Sequence, residues 1–83
     1  MDKKIKIEIC GAGCDKFFRT VASFRKAMRN CSAAGTVEEI TDGKRIAARG
    51  VLNLPAVFVN GKLMIQGEGV SEDKAGELLQ KAV

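Results

Sequence analysis

The segment 51-VLNLPAVFVNGKLMIQG-67 holds two strand-like runs, "AVFV" over 56–59 and "KLMIQ" over 62–66, joined by Asn60 and Gly61. An Asn-Gly pair supplies the left-handed backbone that a two-residue hairpin turn requires, so the runs are expected to pair as antiparallel neighbours. Pro55, the only proline of the chain, stands just ahead of the first run, where a missing backbone donor is tolerated. A lone hairpin is marginal in water. The remaining elements must therefore supply more strands and a cover.

Upstream, Ile5, Ile7 and Ile9 alternate with Lys4, Lys6 and Glu8, the period of two that marks a strand with one apolar face. From Asp15 onward the period changes. Phe17, Val21, Phe24 and Met28 recur at helical spacing, and Cys31 continues the stripe, predicting a helix over 15–31 with Cys31 a buried, inert small hydrophobe. "SAAG" at 32–35 ends it with Gly35 as the cap, and "TVEEIT" at 36–41 reads as a second strand. Asp42 caps a short helix over 42–49 carrying Ile46 and Ala47, which Gly50 terminates. Ser71, Glu72 and Asp73 open a last helix over 71–82, with Ala75, Leu78, Leu79 and Ala82 on the face that docks onto the sheet.

The resulting order is βαβαββα, an α/β fold with a four-stranded mixed sheet and three helices. The first crossover is expected to be parallel and right-handed. At 83 residues the chain holds one domain over 1–83, with no repeat or linker. Its 46% hydrophobic and 29% charged residues are those of a soluble globular protein. No apolar run approaches the roughly 20 residues of a membrane span, and the N-terminal stretch lacks the continuous apolar segment of a secretory signal. A cytoplasmic location is expected. The formal charge of +4 is expected on solvated faces, because Lys3, Lys4 and Lys6 and the group Arg25, Lys26 and Arg29 are not interleaved with aromatics suited to base stacking. Nucleic acid is not an expected partner. The absence of histidine excludes imidazole catalysis and His-ligated metals, and three cysteines cannot all pair within one molecule.

The chemistry therefore turns on thiols. "EICGAGCDKFFRT" at 8–20 places Cys10 at the end of the first strand and Cys14 at the start of the first helix. At a helix N-terminus a thiolate meets unpaired backbone donors and the positive end of the dipole. Lys16 adds to that effect and Asp15 opposes it. Cys31 lies 17 residues (31 minus 14) beyond Cys14, about 25 Å along one helix at 1.5 Å per residue, too far for a disulfide. Cys10 is closer, across a Gly-Ala-Gly loop, yet strand alternation sets it opposite Ile9 and toward the other face of the sheet. A Cys10 to Cys14 bridge stays open. So does a soft-metal site on these two thiolates, although no third thiolate or histidine lies nearby and no resident metal or cofactor is expected.

The strand order, the cysteine at the first strand-to-helix turn and the proline before the third strand resemble the thioredoxin fold over nearly the whole chain. More narrowly, "GAGC" at 11–14, "NLPAVFVNGKL" at 53–63 and "GEGVS" at 67–71 are similar to the small, glutaredoxin-sized thioredoxin-like proteins described as redox-active disulfide proteins. The resemblance implies that Pro55 is a cis-proline beside the nucleophile and that Cys14 is the attacking cysteine. It further implies that the backbone around Leu54 and Pro55 holds a cysteine-containing protein or a low-molecular-weight thiol. The chain departs from the family at Phe17, where the second, resolving cysteine belongs. Dithiol chemistry through C-x-x-C is thereby excluded. Two functions follow. One is a monothiol redox protein acting through Cys14, resolved by Cys10, by glutathione as co-substrate or by another protein thiol. The other is a redox-inactive binding module in which Phe17, Phe18 and Leu54 present an apolar contact.

Overall fold

The computed structural model describes residues 4–31 and 34–82, the side chain of residue 82 excepted. Along the chain run β1 (Ile5–Cys10), α1 (Asp15–Asn30), β2 (Gly35–Ile40), α2 (Gly43–Ala48), β3 (Ala56–Val59), β4 (Lys62–Gln66) and α3 (Glu72–Ala82). The strands form one sheet in the order β2-β1-β3-β4. β1 pairs parallel with β2 from Ile5↔Gly35 to Cys10↔Ile40, and antiparallel with β3 from Ile7↔Val59 to Cys10↔Ala56. β3 and β4 form the expected hairpin, with a bulge where Val57 pairs Ile65 and Phe58 pairs Leu63.

Asn60 and Gly61 have φ of 53° and 84°, the left-handed pair that closes a two-residue turn in register with the strand twist. Asn60 also ties the turn to β1. Its N–H donates to the Lys6 carbonyl at 2.8 Å, and its Oδ1 accepts from the Lys6 N–H at 2.9 Å. The hairpin is thus fixed at both the ladder and the tip.

Two helices cover one face of the sheet. Phe17, Val21, Phe24, Ala27 and Met28 of α1, with Ala75, Leu78 and Leu79 of α3, pack on Ile5, Ile7, Ile9, Val57 and Val59. Each fully buried side chain of this size contributes about 1.5–3 kcal/mol. The short α2 covers the opposite face, where Ile46 packs with Cys10, Ile40, Ala56 and Phe58. Asp42 caps α2 as expected, its carboxylate accepting from the Lys44 N–H at 3.0 Å.

Three expectations are corrected. Cys31 is exposed, because α1 ends at Asn30 and Cys31 is its C-cap. The stripe continues in sequence, but the helix that would carry it has ended one residue earlier. Gly35 is no helix cap; it opens β2 at φ 150°, where a β-carbon would overlap the Ile5 backbone. Finally, β1 has two buried faces, since Glu8 and Cys10 are as covered by α2 as the isoleucines are by α1 and α3. Ser32, Ala33, Lys3 and the side chain of Ala82 lie outside the described residues.

Candidate functional site

The pairing Cys10↔Ala56 is the last of the β1–β3 ladder, so the chain leaves the sheet at one end through Gly11 on one strand and Pro55 on the other. Two backbone bonds extend the sheet there. The Gly11 N–H donates to the Ile40 carbonyl at 3.0 Å, and the Gly67 N–H donates to the Pro55 carbonyl at 2.9 Å. The Leu54–Pro55 peptide is cis. The loop after β1, the approach to β3 and the exit from β4 therefore meet at the sheet end from which α1 departs.

Cys14 is the N-cap of α1, with extended backbone at φ −89° and ψ 172°. Its carbonyl accepts the first helical bond, from the Phe18 N–H at 3.1 Å, while its side chain makes no capping bond. The thiol is exposed. Lys16, also exposed, stands in the first turn, its aliphatic stem lying over Gly69.

Phe17 is fully buried in the main core. Its ring occupies the space directly above Gly11, where a β-carbon would overlap it. Phe17, expected among the contact residues, therefore has no surface to offer a partner. Exposed apolar area comes instead from Phe18, packed edge-on to Phe17 with centroids 5.3 Å apart, and from Leu52 and Leu54. Leu52 is 84% exposed, and neither the period nor the motif singled it out. The loop carrying it is pinned by Gln66, whose Oε1 accepts from the Leu52 and Asn53 N–H groups at 3.1 and 3.3 Å.

Thr20 joins the last loop to α1. Its buried hydroxyl donates to the Lys16 carbonyl at 2.8 Å and accepts from the Val70 N–H at 3.2 Å, so the 67–71 loop is held against the helix that Cys14 caps. The one signal for it in the sequence was a threonine at a stripe position, three residues after Phe17.

Cys10 sits on the other side of the sheet, fully buried beneath α2. Burial pushes its thiol above the ordinary range, since the thiolate is poorly solvated there. Above it in β1, the buried Glu8 carboxylate accepts from the Arg49 guanidinium at 2.6 Å, and that guanidinium lies 4.1 Å from the centre of the Phe58 ring. The Arg49 hydrogen bond holds the Glu8 carboxyl below its usual range, against the opposing effect of burial. All three cysteines are free. Among the described residues no group of three or more Cys, Asp or Glu side chains is placed to hold a metal, and no helix is long and apolar enough to cross a membrane.

A parallel β1–α1–β2 unit, an antiparallel hairpin added beside β1, and a cysteine and a cis-proline meeting at one sheet end define a thioredoxin-like domain. The family model described as thioredoxin domain matches residues 3–80. The chain belongs to that family. Among solved structures, one titled "Structure of a malarial protein" is similar in fold, with a TM-score of 0.75 over 98% of this chain and 99% of that one. Its sequence identity is 12%, so the likeness bears on the fold alone. No curated protein matches the chain.

Proposed function

We propose that this thioredoxin-family domain is a monothiol exchange protein acting through Cys14 in a reducing, cytoplasmic setting. The observation that carries the reading is the state of Cys14: an exposed thiol capping a 16-residue helix, with no side-chain bond occupying it. There the Cys14 thiolate faces the positive end of the helix dipole. It attacks one sulfur of a partner disulfide, the partner S–S bond breaks as the Cys14 mixed disulfide forms, and the released thiolate takes a proton from water. A second thiol then attacks the mixed disulfide and frees Cys14. The burial of Cys10 beneath α2 favours a resolving thiol from outside, either glutathione or a protein cysteine. In this reading the exposed Leu54, next to the cis bond to the buried Pro55, flanks the approach, and the exposed Phe18 and Leu52 add apolar contact.

The reading is tested by incubating the reduced protein and C14S with oxidised glutathione and weighing the products. A glutathione adduct that peptide mapping places on Cys14, formed ahead of any on the exposed Cys31 and missing in C14S, is expected. No adduct on Cys14, or the same adduct in C14S, would overturn it.

A second reading, a redox-inactive binding module, draws on one observation: Phe17, three residues past Cys14, where the resemblance sets a resolving cysteine, is a core residue at 0% exposure. A bare Cys14 in the glutathione experiment would make it the better one.

A further inference from the structure

An open groove of about 660 Å³ runs between the first turns of α1 and the 67–71 loop, its lining starting at Asp15, the residue after Cys14. Its α1 wall is made by Asp15, Lys16, Arg19 and Ser23, and Gly69 and Ser71 face them. Thr20 forms the floor, its hydroxyl joining the two walls through the Val70 N–H. From position 15 to 23 the helix advances about 12 Å at 1.5 Å per residue, the span of three to four residues of extended chain at about 3.3 Å each. The groove is open along its length, which suits a polypeptide.

Its charge is uneven. Lys16 and Arg19, like Lys4, Arg29, Lys44, Lys62 and Lys81, take part in no ion pair among the described residues; what sets these two apart is that both line the groove. Asp15 opposes them at the Cys14 end, and Glu68 lies in the facing loop. Lys16 and Arg19 lie two and five residues beyond Cys14 along α1, about 3 and 8 Å at 1.5 Å per residue. The stem of Lys16 lies over Gly69, where a β-carbon would come within 3.0 Å of it, so this lysine packs against the facing loop.

We propose that this groove receives an extended acidic segment of a cysteine-bearing polypeptide partner. The partner's cysteine meets Cys14, and its carboxylates, about three residues away, face Lys16 and Arg19. The proposal deepens the exchange reading and rests on it only for the cysteine. Charge complementarity of this kind acts mainly on the rate of encounter and on partner choice.

Two peptides test it, each with one cysteine blocked as a 2-pyridyl disulfide, one with glutamates three and four residues to either side and the other with glutamines there. In the reaction the Cys14 thiolate attacks the peptide sulfur, the S–S bond breaks, and the departing pyridine-2-thiolate is protonated to the thione that is monitored. At low ionic strength the acidic peptide should react about fivefold faster than its neutral counterpart, and salt should erode the advantage. In K16Q/R19Q the ratio of the two rates should fall to near unity, and using the ratio cancels any change in Cys14 reactivity itself. Equal rates in the wild type, or an advantage that survives in K16Q/R19Q, would overturn the proposal. So would a charge preference seen for oxidised glutathione over hydroxyethyl disulfide but not for the peptide pair, which would assign the groove to a small thiol. A fluorescent acidic peptide with serine for cysteine separates the two readings. Its salt-sensitive binding to the wild type and not to K16Q/R19Q upholds the groove even where Cys14 reacts with nothing, and absence of binding sinks the groove while exchange stands or falls on the glutathione result.

Discussion

The ring of Phe17 lies on the α-carbon of Gly11, close enough that the smallest side chain at position 11 would overlap it. Phe17, three residues past Cys14, is therefore locked to the loop that carries Cys14. Substituting Gly11→Ala should destabilise the fold by about 1–3 kcal/mol, the range for overpacking a tight core. Denaturant unfolding checks this, and the penalty should shrink sharply when Phe17→Leu is added, because the two positions share one space.

Removing the ring altogether bears on function. Phe17→Cys restores a C-x-x-C spacing at the N-terminus of α1, with Lys16 in place and Pro55 at the same sheet end. Oxidation should then produce a disulfide between Cys14 and the new thiol, read as a loss of two hydrogens in the intact mass. Loss of most of a buried phenylalanine costs about 3–5 kcal/mol in the comparable change to alanine. A folded F17C that forms no such bond would show that the loop geometry has left that of the dithiol proteins.

Thiol accessibility separates the three cysteines. Cys14 and Cys31 are exposed, and Cys10 is fully covered by α2 with its thiol pushed up by burial. Brief alkylation of the native protein should add two groups, and alkylation in denaturant three. Peptide mapping should find Cys10 as the late site. Early labelling of Cys10 would mean that α2 leaves the sheet readily.

The α1 stripe, the Asn60-Gly61 hairpin and the docking face of α3 were legible because each rests on local chemistry: a period, a turn pair, a run of apolar residues. The helix-start position of Cys14 and the cis form of Pro55 were legible from their places in the motif. What escaped depends on which elements stack in space. The alternation in β1 separated isoleucines from Lys6, Glu8 and Cys10, but only the tertiary return of α2 decides that Glu8 and Cys10 are buried too while Lys6 stays exposed. Cys31 failed for the opposite reason. Helical spacing predicts a face and not an end, and α1 stops one residue short of it. Nothing local distinguishes Arg49 from the other cations either, since its partner Glu8 lies 41 residues away in sequence.

That pair gives the last prediction. Glu8 is 4% exposed, and its folded-state affinity for a proton is lowered, chiefly by the Arg49 hydrogen bond and then by the charge of the same guanidinium. A carboxyl whose folded value lies below its unfolded one, about 4.3, stabilises the protein above that pH and loses the contribution as pH falls through the folded value. Arg49→Met keeps much of the aliphatic cover over Phe58 but leaves the carboxylate buried without its partner. The stability loss near pH 7 should be about 1–3 kcal/mol, below the usual cost for a fully buried pair because Arg49 keeps 26% side-chain exposure. The gap between R49M and the wild type should narrow as pH falls, because without Arg49 burial raises the Glu8 carboxyl, so the variant sheds its orphaned charge before the unfolded value of about 4.3 is reached, and the wild-type pair weakens below that value. Chemical unfolding of both proteins at pH 7, 5 and 3.5 reads this directly. A gap that stays constant across that range would mean that Arg49 acts by packing on Phe58 and not through Glu8.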